Sequence, residues 1–165
     1  MLSTRSHPDV VSDYIATELA LGRIADAGPG EAAKELGIHS SPFGVIPKRQ
    51  KPGKWRLILD LSSPEGFSVN DGISKETSSL RYTTTDDVVE AILKSGKGSL
   101  MAKLDIKQAY RNIPVYPQDR LLLGMSWGGR IYVDKTLPFG LRSAPLLFSA
   151  DNSIAVSITA MYNAV

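Results

Sequence analysis

The sequence predicts an α+β fold, and three observations carry that prediction. Ser41–Lys48 and Lys54–Leu61 read as strands joined across Pro52-Gly53. Leu121–Trp127 and Arg130–Thr136 read as a second pair joined across Gly128-Gly129. Stretches with helical spacing of apolar residues lie outside both pairs. At 165 residues and 42% hydrophobic, the chain has the length of one ordinary domain with a real core.

In chain order, residues 8–27 read as an amphipathic helix. Val11, Tyr14, Ile15 and Leu19 make the apolar stripe, with Asp9, Asp13 and Glu18 placed elsewhere. Pro8 suits a first turn, and Gly28-Pro29-Gly30 is the expected break. A short helix is expected over 31–36. In the first hairpin, Trp55, Leu57 and Leu59 alternate with Arg56, Ile58 and Asp60, the period of a half-buried strand. Its tip, Lys48-Arg49-Gln50-Lys51-Pro52-Gly53-Lys54, is basic. With Arg56 it reads either as a solvated loop or as a clamp for a polyphosphate. A loop rich in Ser, Pro, Gly, Asn and Asp follows to Ile73. Thr84 and Asp87 form a capping-box pair that opens a helix through Leu93, with Val88, Val89, Ile92 and Leu93 as its stripe. Asp86 and Asp87 are thereby explained as helix-start acids rather than metal ligands. Ser99–Asp105 is expected as a strand. After the second hairpin comes Leu137-Pro138-Phe139-Gly140-Leu141-Arg142-Ser143-Ala144-Pro145. Ser143 suits a helix cap and Pro145 a first turn, with the helix continuing through Phe148, Ile154 and Ile158.

The charge balance, 19 basic against 17 acidic residues for a net +2, neither requires nor excludes nucleic acid. The absence of Cys removes disulfides and thiolate metal sites. His7 and His39 do not sit at metal-ligand spacings. Residues 1–11 lack a signal-peptide core, and no apolar run approaches the ~18 residues of a membrane span. An intracellular soluble protein is expected, with nucleus or cytoplasm and the oligomeric state left open. The sequence stops at Val165 inside an apolar, helix-like run, which reads as a chain cut short.

The segment Leu104-Asp105-Ile106-Lys107-Gln108-Ala109-Tyr110-Arg111-Asn112-Ile113-Pro114 holds the candidate chemistry. An apolar run delivers one carboxylate, Asp105, and a ring follows at Tyr110. A carboxylate on rigid backbone can hold a hard divalent cation; the other reading is a solvated turn residue.

Four stretches in this order resemble the fingers and palm of a retroelement reverse transcriptase. They are Ser41–Asp60, Ser68–Ile73, Leu104–Pro114 and Leu137–Phe148. The wording from Asp60 to Ile73 is most similar to tyrosine-recombinase-encoding (DIRS-like) retrotransposons. The resemblance implies a partial palm, an antiparallel sheet with helices on one face, plus a fingers hairpin. It divides the chain into an N-terminal helical segment (1–40), fingers (41–98) and a partial palm (99–165). It also implies RNA-directed DNA synthesis by in-line phosphoryl transfer on two Mg²⁺ ions, with an RNA/DNA template-primer and dNTPs as partners. Asp105 would be the catalytic metal ligand, with help from the Ile106 carbonyl. Lys48, Arg49 and Arg56 would grip the triphosphate. Tyr110 would lie under the sugar and exclude a 2′-OH. Phe139 and Gly140 would meet nucleotide and template, with Pro145 alongside. Retroviral members often carry Gln where Phe139 stands, so contacts there would be apolar.

One departure matters. The family's Tyr-x-Asp-Asp hairpin should follow the Phe148 helix, and the sequence stops first. Tyr132-Val133-Asp134-Lys135 comes too early and reads as ordinary strand. Thumb, connection and ribonuclease H parts are missing as well. The isolated chain is therefore expected to be inactive. The alternative is a non-catalytic nucleic-acid-binding remnant of a retroelement.

Overall fold

A computed structural model of the protein describes residues 2–49, 51–103 and 105–150. Leu104 and the expected continuation of the last helix through Ile154 and Ile158 lie outside the described residues.

A one-turn helix, α1 (Leu2–Ser6), precedes α2 (Pro8–Ala20), which opens on Pro8 with Asp9 in its first turn. Val11, Ile15 and Glu18, at i, i+4 and i+7, are its buried face. The expected helix over 8–27 is too long by seven residues. Gly22, at φ 68°, ends it with the left-handed turn that glycine adopts freely, and the Gly22 N–H donates to the Leu19 carbonyl at 2.9 Å. The chain then enters a strand, β1 (Ile24–Pro29). Gly28-Pro29-Gly30 is not a helix break; Gly30 opens α3 (Gly30–Glu35), close to the expected short helix.

Two sheets follow. The larger has the order β1-β6-β5-β2, with β2 (Ser40–Ser41), β5 (Gly124–Trp127) and β6 (Arg130–Asp134). Its pairs are antiparallel except β2–β5, which is parallel. Trp127 faces Arg130 across Gly128-Gly129, as the turn signal requires. The smaller sheet is the expected hairpin, β3 (Phe43–Pro47) and β4 (Trp55–Leu59), with Pro47 opposite Trp55 and Ile46 opposite Arg56. Along β4, Arg56 and Ile58 are exposed between half-buried Trp55, Leu57 and Leu59.

Two apolar clusters hold these parts together. Val11 and Ile15 of α2 join Ile24, Phe43, Val45, Met125 and Tyr132, so one helix seals the hairpin onto the larger sheet. Leu61, Val115, Leu123, Leu137, Leu141 and Ala144 form the second cluster under the loops. Leu59 packs against both.

The strand expected over 99–105 is absent among the described residues of that stretch. Residues 99–103 are irregular, and Leu100 and Met101 are 98% and 77% exposed. An extended run becomes a strand only with an edge to bond to, and no described strand pairs with it. Asp105 therefore does not stand at a strand end. α5 (Thr85–Ser95), which follows the one-turn α4 (Lys75–Ser78), does have the Thr84–Asp87 capping box. Its Val88, Val89, Ile92 and Leu93 stripe is exposed, and none of its residues is buried.

Candidate functional site

The site is built on the turn that follows Asp105. Gln108 takes a left-handed conformation (φ 54°) and starts a single 3₁₀ turn, Ala109–Asn112. Its Oε1 accepts from the Arg23 guanidinium at 2.5 Å. Beyond the turn, Ile113–Val115 zips onto the end of β6. The Val115 N–H donates to the Lys135 carbonyl (2.8 Å), and the Leu137 N–H to the Ile113 carbonyl (2.9 Å). Neighbouring side chains of the turn point to different places. Tyr110 joins an aromatic group, its ring centroid 5.3 Å from Phe139 and 5.8 Å from Phe148. Burial pushes the Tyr110 phenol above its ordinary range. Arg111 goes inward.

The inward side is an ion cluster that sequence reasoning missed. Arg111 Nη2 and Nε donate to Glu18 Oε2 at 2.6 and 3.1 Å, and Nη1 donates to Asp134 Oδ1 at 2.6 Å. All three are buried, at 4%, 4% and 1% exposure. Burial pushes the Asp134 carboxyl up to about 6 despite the pull of Arg111. Burial likewise raises the nearby Tyr14 phenol. For Arg111, burial opposes the charge, but Asp134, Tyr14 and Glu18 more than offset it. Glu18 is thus on the apolar stripe of α2, not off it as expected. Asp134 is ordinary strand, as expected, but faces inward with Tyr132. A carboxylate at a buried position of a helix and another at a buried position of a strand require a cation between them, and that pattern was the available signal.

The second wall is the loop from Leu137 to Ser143. Leu137 and Leu141 are buried, while Phe139 between them is 55% exposed. Gly140 sits at φ 96°, where a Cβ would lie 3.4 Å from the Leu59 carbonyl. One buried side chain holds this loop. Asn70 Nδ2 donates to the Gly140 carbonyl and to Ser62 Oγ, each at 2.9 Å, and its Oδ1 accepts from the Arg142 N–H at 2.8 Å. The Arg142 guanidinium returns to the Asn70 and Ile73 carbonyls. Asn70 is held in turn by a capping box between Ser68 and Asp71. The Ser68 hydroxyl and N–H, with the Gly66 N–H, keep the Asp71 carboxyl below its usual range. Pro145 lies half-buried in the first turn of α6 (Ala144–Ala150), one residue after the helix start that follows Ser143.

The third part stands apart. Lys48, Arg49, Lys51, Lys54 and Arg56 are exposed, and none has an ion-pair partner among the described residues. The tip is closed by the Lys48 N–H donating to the Lys54 carbonyl at 2.8 Å. The structure thus brings Tyr110, Phe139 and Gly140 together. Among the described residues no hydrogen bond or ion pair ties Lys48, Arg49 or Arg56 to them. Asp105 and Ile106 are exposed, and Asp105 has no partner among the described residues.

A match to the family described as reverse transcriptase (RNA-dependent DNA polymerase) covers residues 46–151. The chain belongs to the reverse transcriptase family. It is 27% identical over 122 residues to a Pro-Pol polyprotein of simian foamy virus type 1, covering 74% of this chain and 10% of that protein. It is 26% identical over 125 residues to the retrovirus-related Pol polyprotein from transposon 412 of Drosophila melanogaster, covering 72% of this chain and 9% of that one. The chain spans about a tenth of the length of these curated relatives. Among solved structures, the native prototype foamy virus protease-reverse transcriptase shares the fold at a TM-score of 0.57 and 23% identity, over 83% of this chain and 16% of its own. The foamy viral protease-reverse transcriptase in complex with an RNA/DNA hybrid gives 0.59 and 19%, over 90% and 17%.

Reverse transcriptases are in general divalent-metal dependent. Here one exposed carboxylate and one carbonyl, Asp105 and Ile106, do not make a cation site by themselves. No group of three or more Asp, Glu or His suited to a metal exists among the described residues. The described part of this reverse transcriptase chain therefore builds an aromatic and loop wall, a basic hairpin and a lone carboxylate, without a closed metal centre.

Proposed function

We propose that this chain is the part of a retrotransposon RNA-directed DNA polymerase that receives the template base and the incoming deoxynucleotide. The single observation that carries the reading is the Tyr110–Phe139–Phe148 aromatic group, five residues beyond an exposed Asp105. The exposed Phe139 ring offers stacking surface to a base, and the half-buried Tyr110 beside it can meet the sugar face of a nucleotide. In this reading Lys48, Arg49 and Arg56 take the triphosphate, Phe139 and Gly140 the template side, and Pro145 shapes the loop behind them. Asp105, with the Ile106 carbonyl, would supply one carboxylate toward two Mg²⁺ ions. RNA/DNA template-primer and dNTPs are the partners, and the interior of the cell the place of action. The fingers (41–98) and palm (99–165) division is part of the proposal, supported by β3 and β4 forming a sheet of their own. So is a DIRS-like origin, supported by the wording from Asp60 to Ile73.

A second reading, a nucleic-acid-binding remnant without chemistry, draws on the lone carboxylate and the unpaired basic hairpin. Primer extension on an RNA template with Mg²⁺ separates the two. It is run on this chain and on a chimaera with a reverse transcriptase Tyr-x-Asp-Asp segment appended. The proposal expects extension by the chimaera and its loss in Asp105→Asn. Extension that survives Asp105→Asn contradicts the assignment; binding with a salt slope but no extension by either protein favours the remnant.

A further inference from the structure

We propose that Arg111 is a positioning residue that sets the Tyr110 ring, acting through Glu18 and Asp134. Its effect on nucleotides rests on the function proposed above; the positioning itself does not. The two residues are consecutive in a one-turn helix, Ala109–Asn112, too short to hold its own orientation. Its rotation has to be fixed from outside. The Arg111 fork does this from three directions. It bonds Glu18 on α2 twice, Asp134 at the end of β6 once, and the Thr136 carbonyl at 3.4 Å. A planar guanidinium held at both ends leaves little freedom to swing, unlike a lysine at the same place. The start of the turn is tied to the same cluster. Arg23 holds Gln108 Oε1 at 2.5 Å while its guanidinium lies 3.7 Å from Glu18. With the inward side locked, the adjacent Tyr110 ring is delivered against Phe139 and Phe148. Glu18 lies outside residues 46–151, so this support reaches the site from a part of the chain that the family match does not include.

The test places 3-fluorotyrosine at Tyr110 in the full chain and reads its ¹⁹F resonance. In the wild type the Phe139 and Phe148 rings should displace the signal from its exposed value. Arg111→Lys should move it back toward that value while far-UV circular dichroism stays unchanged. A resonance identical in wild type and a folded Arg111→Lys protein overturns the proposal. Should the lysine variant not fold, Glu18→Gln, which keeps shape and one acceptor oxygen, is read in the same way. The same samples are titrated with a primer–template. A wild type that binds none contradicts the reverse transcriptase function and leaves positioning standing if the resonance moves. Binding with a resonance unmoved by the variants overturns positioning alone.

Discussion

Asp134 is a carboxyl whose chemistry departs far from its ordinary state. Burial raises its carboxyl to about 6 from 3.8, with Arg111, Glu18 and Tyr14 as the charged and titratable groups facing it. The folded protein therefore binds this proton more tightly than the unfolded chain. Its stabilising contribution is complete below about pH 3.8 and disappears as pH rises through about 6, a change worth about 3 kcal/mol. Thermal melts between pH 4 and 7 should show this slope in the wild type and a flatter one in Asp134→Asn. Equal slopes would remove Asp134 as its source. Such a residue was partly legible in the sequence. Tyr132 and Asp134 are two apart on a strand and so share a face, and Glu18 is three beyond Ile15 on a helix. The ion that joins them, Arg111, sits 93 residues from Glu18, and no local pattern links the two.

At the scale of elements, short-range signals decided what could be read. The first hairpin was readable because Pro52-Gly53 and a period of two agree with each other. Thr84 and Asp87 announced the start of α5 for the same reason. The failures came where the outcome depends on distant partners. Residues 99–103 have strand composition but no described edge to pair with, and residues 24–29 became strand because β6 offers one. The Leu137–Ser143 loop shows both cases. Its glycine was readable as a need for backbone freedom, whereas its anchor, Asn70, is 70 residues from Gly140. Gly140→Ala at φ 96° is expected to destabilise the fold by about 1–3 kcal/mol, measured by urea unfolding. No change would mean the loop relaxes freely, and the Phe139 geometry would lose its basis. For the hairpin, replacing Lys48, Arg49 and Arg56 together by Ala should flatten the slope of log binding constant against log salt by about 2 on a single-stranded template. An unchanged slope would take phosphate contact away from β3 and β4.

Across the whole molecule, the reverse transcriptase match begins at residue 46, yet the structure does not divide there. α2 and β1 precede it, and they supply Val11, Ile15 and Ile24 to the core and Glu18 to the ion cluster beneath Tyr110. The segment order was readable in the sequence because each motif is local; the support behind the motifs was not, because it is assembled from both ends of the described chain. In the function proposed above, Tyr110 and Phe139 form the face on which a template base and nucleotide rest. The most direct measurement is a photocrosslink from 5-iodouridine placed at the templating position of a primer–template bound to the full chain, with the attached peptide sequenced. Attachment is expected at Phe139 or Tyr110, lost when both are changed to Leu while binding persists. Attachment confined to the exposed stripe of α5, or to α3, would contradict it.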